Sequence, residues 1–237
     1  MFIDIKKYNK IVLFTGAGMS AESGVPTYRG SGGIWHKYNW EEYACQDAFE
    51  RNPEKVLDFH ELRRKSVLEC QPHNGHQFIS DLQKSHIGVT VVTQNIDGMH
   101  RQAGTENVME LHGSLWRLRC DDCSIVIEDI GESFSKKKCD CGNYLRPDIV
   151  WFGDMLNPNV IQKASDAVQK CDLFISIGTS GVVWPAAGFP MEAKNNGAYC
   201  IEINTERTEL SYLFDEVIEG KASKVLTDLS FRTCLSH

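Results

Sequence analysis

The 237-residue sequence contains no apolar run of the length needed to cross a bilayer, about 20 residues. Its first ten residues, MFIDIKKYNK, hold no apolar segment of the signal-peptide kind. The protein is therefore expected in the cytoplasm. An excess of cations is also missing: 25 Lys and Arg stand against 32 Asp and Glu, a net charge of −7. Non-specific nucleic-acid binding needs the opposite balance, so neither nucleic acid nor a membrane is an expected partner. Internal repeats and low-complexity tracts are absent. What the chain has is a 42% apolar fraction, enough for one large domain or one domain with a small insert. It also has nine cysteines. In a reducing compartment, clustered cysteines suggest metal more than disulfides.

The stretch Lys10–Gly30, KIVLFTGAGMSAESGVPTYRG, carries the densest signal. Ile11–Phe14 is a short apolar run bounded by polar residues and reads as a buried parallel strand. Thr15, Gly16, Ala17 and Gly18 follow, and glycines permit a tight turn whose backbone N–H groups approach a phosphate. Met19–Ser23 can open a helix with its N-terminus toward the same anion. Two features separate the stretch from a dehydrogenase fingerprint. Ser20 stands near where a third glycine or alanine is expected. No strand ending in Asp or Glu follows about 20 residues later to hold a ribose. Val25–Gly33, with Pro, Arg and three glycines, reads as a loop able to fold over a ligand.

Ser31–Glu50 is aromatic and irregular, with short helical turns at most. Asn52 as N-cap, Pro53 at the first helical position and Glu54 in the first turn start a helix. It is expected to run to about Cys70, before Pro72, and sets His60 and Arg63 on one face. His73–Lys84 reads as another helix. Val89–Val92 is a second buried strand, leading into Thr93, Gln94, Asn95, Ile96 and Asp97. Polar residues at the carboxyl end of such a strand sit where open α/β sheets bind ligands. Val108–Leu111 is a third strand, followed by His112 and Gly113; a histidine there serves either as structure or as a base.

Cys120, Cys123, Cys139 and Cys141 form C-x2-C and C-x-C pairs in a segment too polar to bury free thiols. Four thiolates on two tight turns match a closed structural zinc site. Lys136–Lys138 beside the second pair would offset its negative charge. A helix from about Pro158 to Lys170 leads to the strand Leu173–Ile177, which ends in a second small-residue turn, Gly178–Gly181. Ala198–Ile203 is one more strand, ending at Asn204. Strands alternating with helices indicate an α/β fold, a parallel sheet with covered faces.

In order, GAGMSAESGVPTYRG, TQNID, LHGS, the cysteine pairs, LRPDIVWFG, GTS and IEIN cover nearly the whole chain. Together they resemble the sirtuins, NAD-dependent protein lysine deacylases, most of all the short bacterial class III type. The resemblance implies a Rossmann-like parallel sheet with helices on both faces over residues 1–27, 71–116 and 147–237. It adds a small domain: a cofactor loop and helical module over 28–70 and a zinc-binding module over 117–146. NAD would be a co-substrate, and one structural zinc ion would sit on the four cysteines. Gly16, Ala17, Gly18, Ser20 and Glu22 would line the diphosphate side of NAD, with Tyr28 and Arg29 near the nicotinamide ribose. Gln94, Asn95 and Asp97 match the ribose and nicotinamide pocket, Asn95 also belonging to the catalytic set. Gly178, Thr179, Ser180, Asn204 and Ala222 match the adenosine side, and His112 matches the catalytic base.

In the family mechanism the acyl-lysine oxygen attacks the ribose C1′ as nicotinamide leaves, giving an alkylimidate. His112 would then help deprotonate a ribose hydroxyl that attacks the imidate carbon, and water would release lysine and O-acyl-ADP-ribose. An imidazole suits that role at neutral pH. Trp151, Phe152 and Gly153, with Val182–Pro185 opposite, resemble the two edges between which a substrate peptide adds as a strand. The expected partner is an acyl-lysine protein, and the expected state a monomer. Members that remove succinyl or malonyl groups carry Tyr-x-x-Arg with a small residue nearby. Here Ala44 and Arg63 match, but His60 stands at the tyrosine position. Arg63 can hold a distal carboxylate in a bidentate manner. His60 can donate one hydrogen bond or, once protonated, strengthen acid binding as pH falls; otherwise the pair is a solvated helix face. The expectation is deacetylation, with acidic-acyl removal retained or weakened. The alternatives are mono-ADP-ribosyl transfer to protein from the same NAD site, and a non-catalytic NAD sensor or interaction module.

Overall fold

The computed structural model describes residues 4–28, 33–86 and 88–234. Among them the strands run, in chain order, β1 (Ile11–Thr15), β2 (Val89–Thr93), β3 (Val108–Glu110), β4 (Gly113–Arg119), β5 (Val126–Glu128), β6 (Arg146–Ile149), β7 (Leu173–Ile177), β8 (Tyr199–Asn204) and β9 (Glu216–Glu219). The helices are α1 (Ala17–Ala21), α2 (Ile34–Lys37), α3 (Trp40–Tyr43), α4 (Gln46–Arg51), α5 (Pro53–Leu68), α6 (Asn74–Ser85), α7 (Met99–Gln102), α8 (Pro158–Lys170), α9 (Phe189–Asn195) and α10 (Ala222–Cys234).

The large sheet has the order β3-β2-β1-β7-β8-β9, with every neighbouring pair parallel. The chain works outward in one direction from β1 and then returns to the other side of it at β7. That reversal point, between β1 and β7, is where sheets of this kind bind ligands. Both strands are buried along their full length. Their alternate side chains feed two separate cores, as strand geometry requires. Leu13 and Ile175 pack with Ile79 of α6 and Leu226 of α10, while Phe14 and Phe174 pack with Val168 of α8 and Phe189 of α9.

A second, antiparallel sheet of order β5-β4-β6 carries the cysteine segment. Its core joins Leu118 and Ile149 to Val56 and Leu57 of α5 and to Trp151. Arg64 of α5, fully buried, donates to the Asp129 carboxylate at 2.7 Å and lies over the Trp116 and Phe134 rings. This ties the helical segment to the small sheet.

Helix α5 starts where the capping residues predict, with Asn52 Oδ1 accepting the Lys55 N–H at 3.1 Å. It closes at Leu68, two residues before Cys70. Ser31–Glu50 is more regular than expected, since α2, α3 and α4 cover most of its described part. Strand β8 is displaced by one residue from Ala198–Ile203, because Asn204 still pairs with Glu219 of β9. Strands β4, β5, β6 and β9 have no counterpart in the sequence reading. β5 and β9 are short and partly exposed, and in β4 and β6 arginines, a proline and an aspartate break up the apolar residues, so none of the four forms an apolar run.

Candidate active site

A cavity of about 700 Å³ opens at the reversal point and extends to the small sheet. At one end lie Gly16, Ala17 and Gly18 after β1, then Gly178, Thr179 and Ser180 after β7, and Asn204 at the end of β8. The middle is lined by Gln94, Asn95 and His112. At the far end are Tyr28, Ala44, His60, Arg63, Trp151, Phe152, Gly153 and Val182. Thr27, Trp35, Thr208 and the charged trio Glu206, Arg207 and Glu209 also line it. Thr27 lies within the first motif but was given no role, and Trp35, Thr208 and the charged trio were missed because they belong to no short motif.

The glycines of the first turn do a different job from the one the sequence suggests. The Gly16 N–H donates to Ile177 O at 3.0 Å, Gly18 N–H to Gly178 O at 2.9 Å, and Met19 N–H to Gly16 O at 2.9 Å. Three amides expected to face a phosphate are thus already bonded. Among the described residues only the Ala17 amide of this group keeps no backbone acceptor. The glycines are needed because the two turns touch. A Cβ on Gly18 would lie 2.8 Å from Gly178 Cα, and one on Gly178 would lie 2.4 Å from Met19 N. The two small-residue turns therefore meet in a seam, and the five-residue α1 contributes little dipole there.

Behind that seam, Asn95 is fixed from three directions. Its Nδ2 donates to Gly16 O at 2.9 Å and to Ser20 Oγ at 3.2 Å, and its backbone N–H donates to Thr93 Oγ1 at 3.0 Å. Its Oδ1 is the atom left for a ligand. Ser20, Glu22, Asp97 and Ala222 do not line the cavity. Ser20 is fully buried and anchors Asn95. Asp97 is buried, and that burial raises its carboxyl above the usual range despite hydrogen bonds from the Met99 N–H and Ser20. Glu22 accepts from the Ser223 N–H at 3.1 Å and from Ser223 Oγ at 2.5 Å, holding the start of α10, where Ala222 lies buried. Burial pulls Glu22 up, and the two Ser223 bonds more than offset it. Arg29 lies outside the described residues.

His112, partly buried, presents its Nδ1 to Gln94 O at 2.9 Å. A carbonyl only accepts, so Nδ1 carries the hydrogen and Nε2 is the basic nitrogen. Burial holds this imidazole below its ordinary value of 6.5, with the Gln94 bond acting the other way. A neutral ring with a free lone pair is what a general base requires.

At the far end, His60 departs from the expected hydrogen-bond donor. It is fully buried, with Nδ1 donating to Val56 O at 2.9 Å and Nε2 accepting from Trp151 Nε1 at 3.3 Å. Burial, followed by the nearby Arg63 charge, pushes it down to about 3. It therefore neither becomes cationic in the physiological range nor spares a hydrogen for an acyl group, and the solvated-face alternative fails for it as well. Arg63 is partly exposed to the cavity. Its Nη2 donates to Tyr28 Oη at 2.9 Å and its guanidinium sits 5.0 Å from that ring's centre. No carboxylate lies within 4 Å of it among the described residues.

The four cysteines converge. Their sulfur atoms lie within 4.8 Å of one another, with Cys120–Cys141 at 3.7 Å and Cys123–Cys139 at 3.8 Å. Sulfurs about 2.3 Å from a tetrahedral zinc ion would be about 3.8 Å apart, so the donor set fits one ion with no open position. Of the neighbouring lysines, Lys136 is acted on by the Cys139 thiol charge as expected, but the direct partners of all three lie elsewhere. Lys136 pairs with Asp140, Lys137 with Glu54 and Asp58, and Lys138 lies over Tyr144.

Comparison with known proteins agrees with this arrangement. The model of the Sir2 family matches residues 16–185. An NAD-dependent protein deacylase of Pyrococcus furiosus is 42% identical over 233 residues, 95% of this chain and 93% of that protein. NAD-dependent protein deacylase 1 of Archaeoglobus fulgidus is 43% identical over 222 residues, 92% of this chain and 91% of that one. Among solved structures, a mutant Sir2 homologue in complex with ADP-ribose superposes with a TM-score of 0.91 at 40% identity, covering 98% and 97% of the two chains. A Sir2 homologue in complex with NAD gives 0.89 at 42% identity, covering 96% and 90%. On that family match and those identities and coverages, this chain belongs to the Sir2 family.

Proposed function

We propose that this cavity performs NAD-dependent removal of acyl groups from protein lysines, with the nucleotide along the β1–β7 seam and the acyl-lysine entering over Trp151–Gly153. The observation that carries the reading is the placement of His112. Its ring lies between the nucleotide seam and the Ala44–Arg63 chamber, with Nδ1 pinned to Gln94 and Nε2 left basic. When bound, NAD supplies the ribose–nicotinamide bond that the acyl oxygen displaces. Ala17, Thr179, Ser180 and Asn204 hold the nucleotide's phosphate and adenosine portions. Asn95 Oδ1 orients the ribose beside His112, and His112 Nε2 takes the proton of the attacking ribose hydroxyl. Phe152 and Gly153 on one edge and Val182 on the other form strand-like walls for the substrate backbone. A deacetylated peptide is bound by a structural neighbour that is 26% identical. The four cysteines hold zinc and leave it no open position, so it supports folding and takes no part in chemistry.

Arg63 extends the acyl range. It is a cation at the chamber end whose hydrogen-bond partner among the described residues is a neutral hydroxyl, which suits the distal carboxylate of a succinyl or malonyl group. The test is a panel of acetyl-, succinyl-, malonyl- and longer acyl-lysine peptides assayed with NAD by mass spectrometry. Free lysine with O-acyl-ADP-ribose is expected; an ADP-ribosylated protein would mark the transferase alternative. Arg63→Met is expected to lower succinyl-peptide turnover at least tenfold while sparing acetyl-peptide turnover. Equal succinyl turnover by the two proteins removes Arg63 from this role.

A further inference from the structure

Beneath the acyl chamber lies a buried cation that the reaction itself does not use. Arg146, at the start of β6, is 2% exposed, and its guanidinium carbon lies 3.4 Å from the centre of the Trp151 ring. Its fork reaches helix α4, the end of its own strand and the turn beyond it. Nη1 donates to Gln46 Oε1 on α4 at 2.7 Å, and Nη2 donates to Ile149 O at 3.1 Å and to Asp154 Oδ2 at 2.7 Å. The same Asp154 oxygen accepts the Trp151 N–H at 3.1 Å. On its other side the indole donates to His60.

A cation withdrawn from water is costly, and replacing such an ion with apolar side chains is often neutral or stabilising. Its retention here points to geometry. The segment that Arg146 holds also touches both ends of the reacting region: the Val150 N–H donates to His112 O and the Phe152 N–H to Ala44 O, each at 3.0 Å.

We propose that Arg146 is a positioning residue for the acyl-lysine chamber, acting through Trp151. The flat guanidinium sets the tilt of the indole, and the fork sets the turn from Trp151 to Asp154. Trp151 and neutral His60 then form a fixed floor for the acyl group. Lysine keeps the charge but has neither the plane nor the fork, so it is not an equivalent replacement. The proposal rests on the acyl-lysine entering at Trp151–Gly153, as read above.

The test is steady-state kinetics of Arg146→Lys with acetyl-peptide and NAD varied in turn, with folding checked by circular dichroism. The KM for peptide is expected to rise at least tenfold, with the KM for NAD within twofold of wild type. In a Trp151→Phe background, Arg146→Lys is expected to add less than twofold, because the residue it acts through is already altered. Should Arg146→Lys not fold, Gln46→Leu removes one prong of the fork and is expected to raise peptide KM about threefold. An equal rise in both KM values, full additivity with Trp151→Phe, or an unchanged peptide KM in whichever variant folds overturns the proposal. Wild-type protein that releases no nicotinamide would instead overturn the deacylase reading beneath it.

Discussion

At the scale of single residues, hydrogen-bond partners decide which polar side chains can act. His112 spends Nδ1 on Gln94 O, and burial holds its pKa below 6.5. A base works in its unprotonated form, so a depressed value keeps it active as the pH falls toward that value. The acid limb of kcat/KM against pH is therefore expected to have its midpoint below 6.5, and a midpoint above 6.5 would contradict the geometry. Removing the base with His112→Ala is expected to lower turnover by about 10²–10⁴-fold with the fold intact, as judged by circular dichroism. Ser20, Asn95 and Asp97 show how far residue type alone can be read. Their position beside strand ends was legible, and that is where they lie. Which of them faces the ligand was not legible, because it depends on side-chain direction. Asn95 lines the cavity, while Ser20 and Asp97 stand behind it. His60 was legible as a departure from a pattern, but its neutrality comes from burial, which no local motif encodes, and the nitrogen left to it is taken by Trp151, 91 positions away.

At the scale of elements, the signals that were read correctly are local ones: an N-cap at Asn52, a proline at the first helical position, apolar runs in β1, β2 and β7. The small sheet escaped because its strands draw their order from the cysteine cluster and from Arg64–Asp129 more than from a continuous apolar face. That dependence has a measurable consequence. Strand β6 leaves the cysteine segment and runs directly into Trp151, so stripping zinc should disorder the chamber floor as well as the cysteine turns. Closed structural sites contribute folding energy outright. Losing about 4 kcal/mol would lower the melting temperature of a chain this size by about 10 °C. Incubation with a strong chelator is expected to do so and to abolish deacylation, and added zinc, but not magnesium, should restore both. A melting curve unmoved by complete zinc removal would mean that the four cysteines do not stabilise the fold.

At the scale of the whole molecule, the order in which strands pair was not legible, since it is set by crossovers that no window of sequence contains. The same packing buries three histidines in different places, and together they make the protein's stability depend on mild acid. His60 lies under the chamber floor, with burial and Arg63 pushing it down to about 3. His76 of α6 sits between the rings of His73 and His100 with both ring nitrogens unpartnered among the described residues; burial and those two neighbours push it down to about 2. His100 of α7 bonds Thr15 Oγ1 at 3.0 Å, and burial, then His73, push it down to about 4. In the unfolded chain each titrates near 6.5. Below that value the unfolded state takes up protons that the folded state refuses, so stability falls as the pH drops from 6.5 toward 4. The lowered carboxylates, Glu22, Asp129 and Asp215, would add their own losses only near and below pH 4. At pH 5.5 each histidine removes about 1.4 kcal/mol, about 4 kcal/mol for the three, a large part of the stability of an ordinary domain. Urea unfolding at pH 7.5 and 5.5 is expected to show a loss of that order. His76→Phe removes one titrating group without deleting a hydrogen bond, and should reduce the loss by about one third. A variant that lost as much stability as the wild type between the two pH values would show that His76 is protonated in the folded protein.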